Sequence, residues 1–364
     1  MKNDMREHDH QGFHHGHRHE GHHFEGHQPE VDSKPILQIR DLCVEYTSGK
    51  KITHAVNHVS FDLKRGETLC LVGESGCGKS TIAKAILRIL PDRGARISGG
   101  SMLFKGRDLA AIPEKEMQKV RGAEIAMVFQ DPMTALNPVK RILKQISSVV
   151  QLHNPEMSKK DAEGRAFHML KMVGITPDRA RDYPHQFSGG MQQRVVVAIG
   201  LSCHPELLLA DEPTTALDVT IQAQVLDMMM ELVRRHNTAM ILITHNLGVV
   251  AETGDYVGVV YGGEIVEYGS KREIFKNPCH PYTIGLFGAL PDMQSEGGRL
   301  KPIEGIMPEP SDLPAGCKFH TRCPYATDIC SEGDVPVIEL GGTHRCQCHN
   351  IEAVRRANGR EAEA

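Results

Sequence analysis

The chain has 364 residues, 40% apolar and 24% charged, with a formal net charge of −4. That is ordinary globular make-up with length for about two domains, and it offers no basic field of the kind nucleic acid requires. No run approaches the ~18 apolar residues of a membrane-spanning helix. The N-terminus shows no apolar secretory segment, so a cytoplasmic protein that meets a membrane only through a partner is expected. Ten cysteines in a reducing compartment then read as metal ligands where they cluster.

Residues 1–34 hold nine histidines, including His14, His15, His17, His19, His22 and His23, among Gly and charged residues. Such a stretch buries no core and is expected to be disordered. Imidazoles at this density bind Ni²⁺ or Zn²⁺ loosely, and a solvated tail without function is the competing reading. From Pro35 to about Tyr268 short apolar runs alternate with helical patterns. Thr68–Val72 (TLCLV) predicts a strand and Thr81–Leu90 (TIAKAILRIL) a helix. Between them lies GESGCGKST, residues 73–81, which matches G-x-x-x-x-G-K-[ST]. With a strand before it and a helix after it, this pattern is a phosphate cradle rather than a flexible turn. Its backbone N–H groups face an anion, Lys79 reaches the β- and γ-phosphates, and Ser80 holds Mg²⁺. Gly73, Glu74, Ser75, Gly76, Cys77, Gly78, Lys79, Ser80 and Thr81 make up the cradle. Cys77 lies near a helix N-terminus, which lowers a thiol pKa; a small residue filling a Ser-like position is the competing reading.

Further along, Gln130 follows an apolar run in VFQDPMTALNP, and Ser188-Gly189-Gly190 opens a helical pattern whose free N–H groups and dipole make an anion site. One chain with a phosphate cradle at 73–81 has little use for a second. A head-to-tail dimer, each chain's Ser188 segment capping the nucleotide of the other, is the economical account. Leu207–Ala210 predicts a buried strand with Asp211 at its carboxyl end, where open α/β sheets bind ligands. Asp211 supplies the second Mg²⁺ ligand, and Glu212 polarises an attacking water. Two solvated acids at a strand tip would be the alternative if the phosphate loop were absent. His245 ends the apolar strand AMILIT, again where ligands bind. A satisfied core histidine is the competing reading there, and a Gln ending a strand is common.

These segments together resemble an ABC-transporter ATPase subunit over about residues 36–350. Phe187–Arg194 (FSGGMQQR) resembles that family's signature segment, with Met191 where Gln is commoner and Phe187 where Leu is. Asp211–Asp218 (DEPTTALD) is similar to its Mg²⁺-binding strand and dimer-contact loop. Gln130 matches the glutamine loop, His245 the switch histidine, and Tyr46 the aromatic that stacks on adenine. The resemblance implies an α/β fold, a P-loop NTPase (RecA-like) core with antiparallel β and α-helical ABC subdomains, plus a small Cys-rich C-terminal extension. It implies Glu212 as general base, His245 as sensor of the γ-phosphate, and Gln130 as link to the membrane partner. Cofactor contacts are then ATP on Tyr46, the loop, Gln130, Asp211 and Ser188–Gly190, with Mg²⁺ on Ser80 and Asp211.

The glutamine loop, ADEPTTALDVTIQAQVL at 210–226, and HPYTIGLFGALP at 280–291 resemble the oligopeptide/dipeptide importer branch, D-type subunit. The expected division is a His-rich tail 1–34, an ATPase domain 35–270 with a helical subdomain about 135–190, an extension 271–350, and a charged tail 351–364 forming a frayed helix. In the extension, GCKFHTRCPYATDIC and HRCQCH place Cys317, Cys323 and Cys330 upstream of Cys346 and Cys348. By spacing alone an iron–sulfur cluster and tetrahedral zinc are equally served. The family pattern implies [4Fe–4S] with Cys348 as fourth ligand and Cys346 as rival. The extension lies outside every nucleotide motif, so changes in it are expected to affect hydrolysis little.

The expected partners are a second ABC ATPase subunit, two transmembrane permeases and, indirectly, an extracytoplasmic solute-binding protein, on the cytoplasmic face of the inner membrane. The same engine importing nickel or another metal complex is the alternative. A soluble ABC ATPase of translation or DNA repair would carry two modules or a coiled-coil insertion, and this chain shows neither.

Overall fold

The computed structural model describes residues 34–215, 217–289 and 303–358. The expectations for the His-rich head fall on residues 1–33 and lie outside that range. In chain order the first half runs β1 (Leu37–Ser48), β2 (Lys51–Leu63), β3 (Thr68–Val72), α1 (Lys79–Ile86), β4 (Ala95–Phe104), β5 (Arg107–Asp108), α2 (Glu114–Val120), β6 (Ile125–Val128), α3 (Pro132–Ala135), α4 (Ile142–His153) and α5 (Lys159–Met172). The second half runs α6 (Gly189–Leu201), β7 (Leu207–Asp211), α7 (Val219–Arg235), β8 (Ala239–Ile243), α8 (Leu247–Thr253), β9 (Tyr256–Tyr261), β10 (Glu264–Ser270), α9 (Lys271–Lys276), α10 (Pro281–Gly288), β11 (Val337–Glu339), β12 (Arg345–Gln347) and α11 (Ile351–Ala357).

Two sheets result. A four-stranded antiparallel sheet has the order β2-β1-β4-β5, and an eight-stranded sheet has the order β11-β12-β10-β9-β3-β8-β7-β6. Strands β6, β7, β8, β3 and β9 are parallel. Parallel strands need crossovers, and crossover helices cover both faces of the sheet, which is why these strands read as continuous apolar runs. Alternation along each strand sends successive side chains to opposite faces. Cys70, Leu208, Ala210, Met240 and Leu242 enter one core cluster, whereas Leu69, Leu71, Leu207, Leu209, Ile241 and Ile243 enter the other. Each fully buried leucine or isoleucine contributes about 1.5–3 kcal/mol.

The parallel order puts β3 and β7 on either side of β8, so the loop after β3 and the acids ending β7 emerge at the same carboxyl edge. Helix α1 ends at Ile86 rather than at the expected Leu90. Arg88 turns the chain with φ 51°, and its guanidinium donates to the carbonyls of Leu109 (3.3 Å) and Ile112 (2.6 Å), holding the reversal. The segment after residue 270 is not set apart from the core. Strand β12 pairs with β10, and Ile274, Tyr282, Phe287 and Phe319 are buried in the same cluster as the sheet.

Candidate active site

The glycines of the 73–78 loop follow from backbone geometry. Gly73, Gly76 and Gly78 have φ of 153°, 82° and 108°. A Cβ on Gly78 would stand 2.3 Å from the Ala55 carbonyl oxygen, and one on Gly73 2.2 Å from that of Val260. Only glycine permits that path. The loop delivers Lys79, 5% exposed, whose ammonium donates to the carbonyls of Gly73 (2.9 Å) and Glu74 (2.8 Å). Ser75, Gly78, Lys79 and Thr81 line one pocket, and Gln130 and Glu212 also line it.

Ser80 Oγ donates to Asp211 Oδ1 at 2.7 Å, joining the loop to the end of β7. Burial pushes the Asp211 carboxyl up, against the Ser80 hydrogen bond and the Lys84 and Lys79 charges, which pull it down. Glu212 next to it occupies the left-handed region, φ 46°, with its N–H donating to the Ile243 carbonyl (2.9 Å). A left-handed non-glycine costs roughly 1–3 kcal/mol and persists where the surroundings over-determine it. Here the surroundings aim the carboxylate. Glu212 Oε2 accepts from Gln130 Nε2 (3.1 Å) and Thr215 Oγ1 (2.9 Å), and His245 Nδ1 stands 3.4 Å from Oε1. The structure therefore brings Gln130, Glu212 and His245, drawn from the ends of three strands, into one cluster. Tyr46, near the end of β1, is 3.4 Å from Thr81 Oγ1 through its hydroxyl. Ser188 caps α6, its hydroxyl accepting from Met191 N (3.4 Å). It does not line the phosphate pocket of its own chain, and a Cβ on Gly190 would meet Ile221 at 2.3 Å.

Residues 56–215 match the family described as ABC transporter, and residues 266–330 that described as Oligopeptide/dipeptide transporter, C-terminal region. The dipeptide transport ATP-binding protein DppD of Bacillus subtilis is 46% identical over 87% of this chain and 93% of the relative. The oligopeptide transport ATP-binding protein OppD of Escherichia coli is 48% identical over 84% of this chain and 89% of the relative. The chain belongs to the ABC transporter family. A solved dimeric ATP-binding cassette bound to ADP and Pi superposes on this ABC ATPase with a TM-score of 0.58 at 26% identity, over 64% of this chain and 98% of that one.

Two features of the ABC ATPase depart from expectation. The Cys77 thiol is raised, not lowered. It is 1% exposed, and burial outweighs the pull of the Lys79 ammonium 3.5 Å away. The extension, in turn, is not independent of the nucleotide motifs. Arg322 donates to Glu74 Oε2 (2.9 Å) and Oε1 (3.1 Å), a bidentate pair across 248 residues of sequence. Tyr282 Oη accepts from the Glu74 N–H (2.8 Å), and the Arg322 guanidinium lies 5.8 Å from the rings of Tyr261 and Phe319. Glu74 thus turns its side chain away from the phosphate pocket and toward the extension. Sequence reading misses this because the motif fixes only the glycines, the lysine and the hydroxyl, and leaves Glu74 as a variable position.

Cys317, Cys323, Cys330 and Cys348 line a single small pocket. Asn350 Nδ2 donates to Cys330 Sγ (3.4 Å). Cys346 does not line that pocket. It is buried with Cys279, Cys348 and Ile351 and stands directly across the strand from Glu267.

Two outcomes follow. With its thiol raised and buried, Cys77 is expected to react with iodoacetamide at about pH 8 clearly more slowly than a free cysteine, and to gain rate as the pH rises. Mass-spectrometric labelling reads this, and a rate equal to the free thiol contradicts it. Arg322→Ala is expected to weaken MgATP binding about 5- to 50-fold by calorimetry, because removing one partner leaves the other's charge uncompensated. Unchanged affinity would mean that the phosphate loop holds its shape without the extension.

Proposed function

We propose that this ABC ATPase hydrolyses ATP at the cytoplasmic face of the inner membrane to drive uptake of di- and oligopeptides through two partner permeases. The observation that carries the chemical half is the Glu212 carboxylate, held by Gln130 and Thr215 beside His245 at the edge of the glycine-loop pocket. Phosphoryl transfer to water is mostly positioning and charge stabilisation. On this reading Lys79 and the loop amides from Gly76 to Ser80 neutralise the phosphates, and Tyr46 stacks on adenine. Ser80 and Asp211 hold Mg²⁺, which when bound neutralises phosphate charge. The fit is good, since their oxygens already meet at 2.7 Å and a cation relieves a carboxylate raised by burial. Glu212 accepts the proton of the attacking water, His245 orients it from the γ-phosphate side, and Gln130 reports to the permease. Ser188, Gly189 and Gly190 cap the nucleotide held by a second ATPase subunit. The peptide half is supported by the relatives' names and by the match at 266–330.

We also propose that Cys317, Cys323, Cys330 and Cys348 ligate one [4Fe–4S] cluster as a structural staple, zinc being the rival occupant. Four thiols around one pocket fit either donor requirement.

Glu212→Gln is expected to bind MgATP with near-normal affinity and lose over ~100-fold of turnover, giving an ATP-trapped dimer by size exclusion. In proteoliposomes with the permeases and binding protein, wild-type hydrolysis should rise with added peptide. Stimulation by a nickel complex alone would overturn the peptide reading. Anaerobically purified protein should be brown with absorbance near about 400 nm, lost in Cys348→Ser and kept in Cys346→Ser. Colourless, iron-free protein would leave zinc or plain thiols.

A further inference from the structure

We propose that Glu267, Cys279, His344 and Cys346 form a second metal site, suited to a zinc-class divalent cation and separate from the pocket of Cys317, Cys323, Cys330 and Cys348. These side chains belong to β10, to the turn before α10 only 12 residues on, and to the β12 strand with its approach, 77 residues from β10. All four are buried, at 1%, 1%, 5% and 1% exposure. A carboxylate oxygen of Glu267, Cys279 Sγ and a ring nitrogen of His344 lie within 4.8 Å of one another. His344 Nε2 is 2.8 Å from Glu267 Oε1.

The sheet register supplies the fourth donor. Glu267 and Cys346 are directly paired across antiparallel strands, so their side chains rise from the same face with Cβ atoms about 4.5–5.5 Å apart. His344, two residues earlier, falls on that face too, as its contact with Glu267 requires. Cys279 and Cys346 share one buried cluster. One sulfur, one imidazole and one carboxylate thus already converge in a buried spot, and the Cys346 thiol lies beside them on the same face of the sheet, placed to complete the set.

The carboxylate is already oriented as a ligand is oriented. The N–H groups of Cys279 (2.7 Å) and His280 (2.9 Å) donate to its two oxygens, and such outer hydrogen bonds fix ligating carboxylates. A tetrahedral zinc with bonds of about 2.0–2.3 Å spreads its ligand atoms about 3.3–3.8 Å apart. The His344–Glu267 contact need open by only about half an ångström for an ion to enter. Two thiolates, a neutral imidazole and a carboxylate make a borderline-soft donor set, which favours Zn²⁺ over Mg²⁺ or Ca²⁺. Binding releases the two thiol protons to solvent. The competing arrangement is a metal-free Glu–His hydrogen bond, with the Cys279 thiol donating to the Asn277 carbonyl (3.2 Å) and Cys346 packed beside it. The site also stands next to the turn that starts α10, whose Tyr282 hydroxyl holds the Glu74 amide.

The test uses the full chain, purified in zinc-replete medium and freed of loosely held metal by a brief EDTA wash. Zinc per chain is compared between wild type and the double variant Cys279→Ala/Cys346→Val by inductively coupled plasma mass spectrometry. The His-rich N-terminus contributes equally to both and cancels. The variant should hold one zinc fewer per chain, while Cys317→Ser should retain that zinc. Loading with Co²⁺ should give the strong visible bands of tetrahedral cobalt–thiolate, weaker in the double variant by the contribution of one site. Should that variant fold poorly by circular dichroism, Cys346→Ser alone should still weaken Co²⁺ binding at least about tenfold. Equal zinc in both proteins, cobalt–thiolate bands of equal strength in both, or a Cys279–Cys346 disulfide by mass spectrometry would each overturn the site.

Discussion

The 2.7 Å hydrogen bond from Ser80 to Asp211 is the contact on which the rest of the site depends. It exists because β3 and β7 flank β8 in one parallel sheet, so the chain leaving β3 and the acid ending β7 surface together. A shift of one residue in the register Leu207↔Ala239 or Thr68↔Met240 would carry one of these groups to the other face. The core forbids it, because each of these strands is buried along its whole length. Burial therefore fixes the sheet, and the sheet fixes the pairing of hydroxyl and carboxylate proposed to share Mg²⁺. The strained backbone of Glu212 is a consequence. Its N–H closes on the Ile243 carbonyl, and only the left-handed turn then points its carboxylate at Gln130 and His245.

A second constraint comes from the far end of the chain. Arg322 and Tyr282 grip Glu74 from the extension, while the Tyr261 ring packs edge-on against Tyr282 and Phe319. Arg322 precedes Cys323, one of the four thiols of the shared pocket. The cysteine pocket and the phosphate loop are thus one bidentate ion pair apart, and the extension is a brace of the nucleotide site. Its two strands extend the core sheet, and its Tyr282, Phe287 and Phe319 are buried in the same cluster as that sheet, which together hold the segment in place.

What is legible in the sequence follows from how local each signal is. The glycine loop, the apolar strands before it and before Asp211, and the Ser188 helix start are set by residues within a few positions of one another. Periodicity and spacing carry them. The Glu74–Arg322 pair is not legible, because an ion pair over such a separation leaves no local trace. Cys77 misleads for a related reason. A helix N-terminus lowers a thiol in the open, but burial under the loop reverses the sign, and burial is a property of the fold. Cys346 and Cys348 are two apart and are rivals by spacing. They part because Cys346 stays in register opposite Glu267 while the chain leaves the strand at Gln347.

The central claim, that one cation bridges the phosphate loop and the acid-tipped strand, is tested most directly by replacing Mg²⁺ with Mn²⁺ and titrating it by electron paramagnetic resonance in the presence of ATP. Ser80→Ala and Asp211→Asn should each lower Mn²⁺ affinity by about tenfold or more, and the double variant should lose less than the sum of the two, since both donors serve the same ion. Wild-type Mn²⁺ affinity in Asp211→Asn, or fully additive losses, would contradict the account.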